Sequence, residues 1–318
     1  MIVHIGRHKS GTSSLQHFLA SQRTRLDRNG YLYPLSGRAN RIAHHALAYA
    51  CNPNLSDDNA LPNIIRDLQS ELRTHHSAIL FSSEAFQNIT DLHRLNNVAE
   101  ALGARKTRVI CYVREHLDYA ISSYRQMVQN QPTFMTFDAY VGRFTDLTGF
   151  LDRWRAFGDL TLKWYDRTML KDGDIVADFC ELLAFEPGKL TSGDRNPSIG
   201  GNLLVYKLAL NHLGLPGPGY NALRDLAITH APFRAAFHVS EDDSRALRAQ
   251  SGYNKSLFRI LSLPKMKTWN DAPVLPALND IEADLKYIGV NPEGQNTNDC
   301  VRLMQQSSNW FKLTRRCT

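Results

Sequence analysis

Met1-Ile2-Val3-His4-Ile5-Gly6-Arg7-His8-Lys9-Ser10-Gly11-Thr12-Ser13-Ser14 decides the fold. The apolar run Met1 to Ile5 predicts a buried strand, and the glycine-bounded turn behind it leads straight into a helix expected to begin near Leu15. Two glycines let the backbone turn tightly and bring its N–H groups close to an anion. The hydroxyls of Thr12, Ser13 and Ser14 and the positive end of the helix dipole complete an oxyanion cradle, to which Arg7 and Lys9 add full charge.

Gly6 and Gly11 have the separation of the nucleoside-triphosphate loop, glycine, four residues, glycine, lysine, serine or threonine. The lysine is displaced, however: Lys9 precedes Gly11 by two residues, and Thr12 stands where the lysine belongs. A second segment pairs with this loop. Thr107 to Val113 is an apolar β-type run ending in Arg114, and Glu115 to Gln129 follows with Leu117, Ile121, Tyr124 and Val128 at helical spacing. Arg114 therefore belongs at the carboxyl end of a strand, and Ser122, eight residues on, lies two turns into the helix, within reach of the same anion.

Lys9-Ser10-Gly11-Thr12-Ser13 resembles the 5′-phosphosulfate loop of sulfotransferases that use 3′-phosphoadenosine 5′-phosphosulfate (PAPS). Val113, Arg114, Ala120, Ser122 and Tyr124 resemble the 3′-phosphate site of the same family position by position. The likeness covers roughly residues 1–200 and is strongest to bacterial, carbohydrate- or small-molecule-type enzymes. It implies an α/β fold with a P-loop-NTPase-like central parallel sheet flanked by helices, PAPS as cofactor and 3′-phosphoadenosine 5′-phosphate (PAP) as product. It further implies that Lys9 bonds the bridging oxygen, that Ser10 to Ser14 hold the 5′-phosphate, and that Arg114 and Ser122 hold the 3′-phosphate. Arg7 contacts the sulfonate or orients the loop, and His8 stands where many relatives carry proline.

Relatives often place their catalytic base, a glutamate or histidine, after the second strand. Here that segment, Pro34 to Tyr49, has no carboxylate but contains His44 and His45. An imidazole titrates near neutrality and suits proton abstraction. Adjacent helical residues point about a hundred degrees apart, so at most one of the two faces a cleft, and His45 is the first choice. Glu84, at the exit of the strand Ala78 to Ser83, competes for the role. Leu160 to Asp166 reads as a further strand and looks like the family's tyrosine-acid strand end. Arg195-Asn196-Pro197-Ser198 resembles a loop that closes over the cofactor in some relatives, or is a turn capped by Ser198.

Strand patterns at Ile2–Ile5, Tyr31–Tyr33, Ile79–Ser82, Arg108–Val113 and Leu160–Trp164 alternate with helical stretches, including 61–75 and 92–102. Such alternation predicts a parallel sheet with ligands at the carboxyl ends of its strands. After residue 200 only helical patterns remain, at 200–213, 241–250, 255–261 and 279–287, with a Gly/Pro breaker run at 214–219. Residues 1–200 are thus expected to form the α/β core and 201–318 a helical subregion that contributes to an acceptor cleft.

The 318 residues are 43% hydrophobic and 21% charged, the composition of an ordinary globular chain. No run approaches the roughly 18 apolar residues of a membrane span, so no stable membrane insertion is expected. The N-terminus reads as core strand rather than a removable leader, and the five scattered cysteines form no metal spacing; both point to a cytoplasmic location. A net charge of +6 with dispersed basic residues suits an anionic nucleotide better than a nucleic acid, and Arg315-Arg316 reads as a solvated tail. The expected partner is a small-molecule or glycan acceptor; sulfuryl transfer needs no metal, and His75-His76 reads as a surface pair. Two alternatives stay open. A kinase or phosphotransferase requires a magnesium site, yet Val113 is followed by Arg114 and Phe81 by Ser82, so no aspartate closes an apolar strand. A non-catalytic nucleotide-binding protein retains the cradle without the chemistry. The sequence sets no oligomeric state.

Overall fold

In a computed structural model, residues 1–55, 59–143, 147–188, 197–235, 239–261, 281–289 and 295–312 are described. They divide into two units interleaved in sequence, one of Met1–Arg114 with Thr148–Arg195 and one of Glu115–Leu147 with Asn196–Thr318.

The first unit is an α/β layer structure around a five-stranded sheet: β1 (Ile2–His4), β2 (Tyr31–Leu32), β3 (Ala78–Ser82), β4 (Arg108–Val113) and β5 (Asp159–Trp164). Every strand pair is parallel, and the order is β2-β3-β1-β4-β5. All five expected strands are present and parallel. The helices of this unit are α1 (Thr12–Ser21), α2 (Arg23–Arg28), α3 (His45–Ala50), α4 (Ala60–Glu71), α5 (His93–Ala101), α8 (Thr148–Phe157) and α9 (Ile175–Leu182).

Val109 to Val113 of β4 are fully buried, and in a strand successive side chains face opposite ways, so helices must cover both faces of the sheet. Ile110 and Tyr112 join Leu80 against Leu15 and Leu19 of α1 and Val176 and Phe179 of α9. On that face Asp178, itself buried, accepts from the Tyr112 hydroxyl at 2.7 Å and from the Lys171 amide at 3.1 Å, and pairs with Lys163 Nζ at 2.8 Å. A carboxylate so deep in the fold is tolerated because its oxygens are bonded.

The second unit is helical among the described residues: α6 (His116–Asn130), α7 (Phe137–Val141), α10 (Gly201–Leu213), α11 (Tyr220–Thr229), α12 (Glu241–Gln250), α13 (Gly252–Leu261), α14 (Ile281–Ile288) and α15 (Gln295–Gln305). Helix α10 is its axis. Residues from Gly201 to Asn211 are all buried, and Leu203, Leu204, Val205 and Leu208 pack with Leu117 and Tyr124 of α6 and Leu223 of α11. A helix buried on every side must be surrounded by others, as this one is. Its entry is tight: a Cβ at Gly200 would lie 1.9 Å from the Ala235 carbonyl oxygen. Arg125 secures the approach by donating to the carbonyls of Ile199, Ser198 and Arg234.

Several boundaries differ from expectation. α1 begins at Thr12, three residues before Leu15, so Thr12, Ser13 and Ser14 form its first turn. α4 stops at Glu71 rather than His75, because Leu72 is already extended (ψ 136°). The short helices α2, α3 and α7 lack the long apolar stripe that marks a helix in sequence, and α15 is polar on average. Arg195 and Asn196 of the supposed closing loop, residues 279–280 and the Arg315-Arg316 tail lie outside the described residues. Cys51, Cys111, Cys180 and Cys300 are buried free thiols; burial pushes the first three up to about 12, which keeps them protonated and unreactive. Among the described residues, no helix is long and apolar enough to cross a membrane.

Candidate functional site

β1 lies between β3 and β4, so the chain leaving β1 crosses to one side of the sheet and the chain leaving β4 to the other. Ligands of open α/β sheets gather at such a switch point, outside the carboxyl ends of the strands. The Gly6–Ser14 loop follows β1, Glu84 follows β3 and Arg114 follows β4.

The loop winds through three residues of positive φ, Gly6 (20°), Lys9 (65°) and Gly11 (71°). For Lys9 this is a left-handed conformation that costs roughly 1–2 kcal/mol, strain of the kind functional loops retain. The Ser10 amide and hydroxyl both donate to the Arg7 carbonyl, at 3.2 and 2.6 Å, and the Thr12 hydroxyl reaches it at 3.3 Å. No side chain caps α1, whose first-turn amides open the helix directly behind Gly11. Ser10 and Thr12 are buried, Arg7, Lys9, Ser13 and Ser14 partly exposed, and His8 is exposed.

Tyr165, one residue past β5, holds the loop to the end of β4. A Cβ at Gly11 would come 2.5 Å from the Tyr165 ring, so only glycine fits there. The Arg114 guanidinium lies over the same ring, 4.6 Å from its centroid, and the Tyr165 amide donates to the Val113 carbonyl at 2.8 Å. Arg7 is held similarly, 5.1 Å over the Phe150 ring. Arginine above an aromatic face keeps its charge and gains a fixed position. Arg114 closes the first unit, whereas Ser122 lies partly buried in the middle of α6 in the second.

The exit of β3 carries three consecutive polar residues, each tied to a histidine. The Ser82 amide donates to His44 Nδ1 (3.2 Å), and the Ser82 hydroxyl bonds His4 Nδ1 (2.8 Å). Ser83 Oγ accepts the Ala85 amide (3.0 Å) and bonds His45 Nδ1 (2.6 Å). Glu84 Oε1 stands 3.8 Å from His45 Nε2, and Glu84 Oε2 accepts from Gln16 Nε2 at 2.8 Å.

The two adjacent histidines have opposite fates. His44 is fully buried between Tyr33 and Phe81, and its Nε2 faces the Pro34 carbonyl at 3.2 Å. With Nδ1 accepting from Ser82, Nε2 carries the proton and both ring nitrogens are committed to backbone; burial holds the ring down to about 3. His44 therefore has no nitrogen for a substrate. His45 keeps its side chain 25% exposed beside the 22% exposed Glu84. When Nδ1–H donates to Ser83 Oγ, a bare Nε2 faces the Glu84 carboxylate. Glu84 is also the first residue of the 3₁₀ turn Glu84–Asn88, which the Ser83 side chain caps. His8 stands within electrostatic reach of Glu84, Arg7, His45 and Lys9.

Gln16, Phe150 and Tyr165 were not singled out as site residues by sequence. Gln16 had a usable signal, since it lies four residues beyond Thr12 and so shares a helix face with the loop. Asp27 is likewise unforeseen: its Oδ1 lies 2.7 Å from His76 Nε2 and 3.5 Å from His75 Nε2. These three form the cluster of metal-ligand type among the described residues. His76 Nδ1 accepts the Arg73 amide at 3.0 Å, which leaves the proton on Nε2 to be donated to Asp27; a hydrogen-bonded pair explains the arrangement.

No family model matches this chain, and no solved structure matches it. An uncharacterized protein of Archaeoglobus fulgidus is 25% identical over 191 residues, 57% of this chain and 53% of the archaeal protein, so the chain spans about half the length of that relative. Fold and site together define an α/β protein with a five-stranded parallel sheet and a glycine-bounded basic loop behind its central strand.

Proposed function

We propose that this chain is a PAPS-dependent sulfotransferase of P-loop-like architecture, acting on a hydroxyl of a carbohydrate or another small-molecule or cell-surface precursor. The observation that carries the proposal is the Gly11–Tyr165–Arg114 stack, which ties a loop with an internal lysine to an arginine at the neighbouring strand end. Two anion-binding groups at fixed separation suit a nucleotide phosphorylated at both its 3′ and 5′ positions. The glycine at 11 and the uncapped first turn of α1 let backbone amides approach the 5′-phosphate.

PAPS supplies the sulfuryl group. His45 Nε2 takes the proton of the acceptor hydroxyl as the acceptor oxygen bonds sulfur, with Glu84 stabilising the imidazolium that results. The bond from sulfur to the 5′-phosphate oxygen breaks in line, and Lys9 with the loop amides meets the charge left on that phosphate. Gln16 and Ser83 hold Glu84 and His45 in place. Calorimetric titration with PAP and with ATP–magnesium tests the proposal: PAP binding at least tenfold tighter and indifferent to magnesium is expected, a difference of about 1.4 kcal/mol or more. Tighter, magnesium-dependent binding of ATP would overturn it in favour of a phosphotransferase.

A further inference from the structure

Within the first unit, Tyr49 is the one exposed aromatic side chain among the described residues; every other Phe, Tyr and Trp there is buried or partly buried. It is 46% exposed, although a phenol ring of this size normally covers itself against neighbours. Its position is specific. α3 turns Leu47, Ala48 and Ala50 inward and leaves His45 and Tyr49, four residues apart, on its open face. The two rings lie nearly parallel, 30° between planes, with centroids 6.3 Å apart. The imidazole that stands beside Glu84 therefore has a flat aromatic ring stacked on it at a small angle.

We propose that the Tyr49 ring is the acceptor platform: it stacks a six-membered ring bearing the reacting hydroxyl, so that the hydroxyl projects past the ring edge toward His45 Nε2. The inference rests on the sulfuryl-transfer reading of His45 and names the acceptor class, a ring with one apolar face. A pyranoside presents such a face through its axial C–H groups and a phenol through its π surface. A linear alcohol presents none and gains nothing from the platform. Neither the nucleotide loop nor Arg114 takes part, so nucleotide binding and acceptor stacking are separable.

The test titrates wild type and the variants Tyr49→Ala and Tyr49→Trp with PAP, with methyl β-glucopyranoside, with phenol and with 1-butanol. Ligand-observed magnetic resonance reads the last three, and turnover with PAPS is followed in parallel. For whichever ring compound binds, Tyr49→Ala should weaken binding and raise KM by about tenfold while kcat holds, and Tyr49→Trp should preserve both. PAP affinity should be the same in all three proteins, and the sugar and phenol arms decide which ring source is used. Ring compounds that bind wild type and Tyr49→Ala equally, or that bind neither, overturn the platform, as does an equal loss for 1-butanol. A Tyr49-dependent ring titration in a protein that ignores PAP leaves the platform standing and removes the sulfotransferase reading instead.

Discussion

Each unit of this protein contains serine–histidine hydrogen bonds, and two of them, Ser83–His45 in the first unit and Ser251–His116 in the second, are built for different ends. In the first unit Ser83 holds His45, which remains a quarter exposed beside Glu84. In the second, Ser251 bonds His116 Nδ1, and both residues are buried. Around His116 several polar groups serve helix ends. Glu115 Oε2 caps the Leu117 and Asp118 amides, Asn254 Oδ1 accepts the His116 amide at 2.9 Å, and Ser251 Oγ caps Asn254 at 3.2 Å. Asn254 Nδ2 and Arg248 close the network on Glu115 Oε1, at 2.8 and 3.5 Å. Burial holds His116 below its ordinary value, against the raising influence of Glu115. The same two residue types thus make a fastening in one place and hold an accessible imidazole in the other. What separates them is solvent access and a carboxylate on the remaining nitrogen, neither of which a motif search sees.

The largest effect should appear when the comparison is broken from both sides. His45→Gln should lower turnover by about a hundredfold or more while leaving PAP affinity intact, because general-base assistance is lost and the cradle is not. Ser251→Ala should cost about 1–3 kcal/mol in a denaturant titration, since it removes the hydroxyl that serves both His116 and Asn254, and should leave turnover per folded molecule unchanged. If Glu84→Gln is inactive with normal PAP binding while His45→Gln is active, the carboxylate is the base and His45 its partner.

A smaller effect concerns the buried histidines of the first unit. Burial lowers His44 to about 3, and lowers His4 to about 4 despite the raising influence of Glu84. In the unfolded chain both titrate near 6.5, so between roughly pH 6.5 and 4 the unfolded state binds more protons and stability falls as pH falls. Each ring contributes a slope of up to about 1.4 kcal/mol per pH unit in that window. Denaturant midpoints measured from pH 7.5 to 4.5 should drop steadily, and His44→Asn should flatten the slope while lowering the plateau. A midpoint independent of pH over that range would show that neither histidine must stay neutral for folding.

Much of the first unit was legible because its signals are local. A continuous apolar run such as Val109 to Val113 announces a strand buried on both faces, and β1 with its glycine-bounded turn announces a loop at a strand end. For His44 and His45, helical spacing says only that at most one faces a cleft; that His44 is the buried one depends on its packing against Tyr33 and Phe81. What stayed hidden depends on residues distant in sequence. Tyr165 reaches Gly11 and Arg114 only because β4 and β5 pair, and Gln16 meets Glu84 only because β1 lies next to β3. The second unit was less legible for a similar reason: α15 is strongly amphipathic but polar on average, and its pairing with α10 is a tertiary fact. The sequence cut at residue 200 also follows composition, whereas Glu115–Leu147 groups with the later helices through packing.

Transfer itself is the most direct test. Wild-type protein and Lys9→Ala, each saturated with PAPS labelled in its sulfuryl group, should be mixed with a panel of ring alcohols and the labelled products separated over a single turnover. Lys9 meets charge that appears as the sulfur–oxygen bond breaks, so wild type should form a labelled organic sulfate and Lys9→Ala should do so about a hundredfold more slowly, with PAP affinity changed far less. Equal rates in the two proteins, or label that stays in PAPS with every acceptor while PAP fails to bind, would contradict the account.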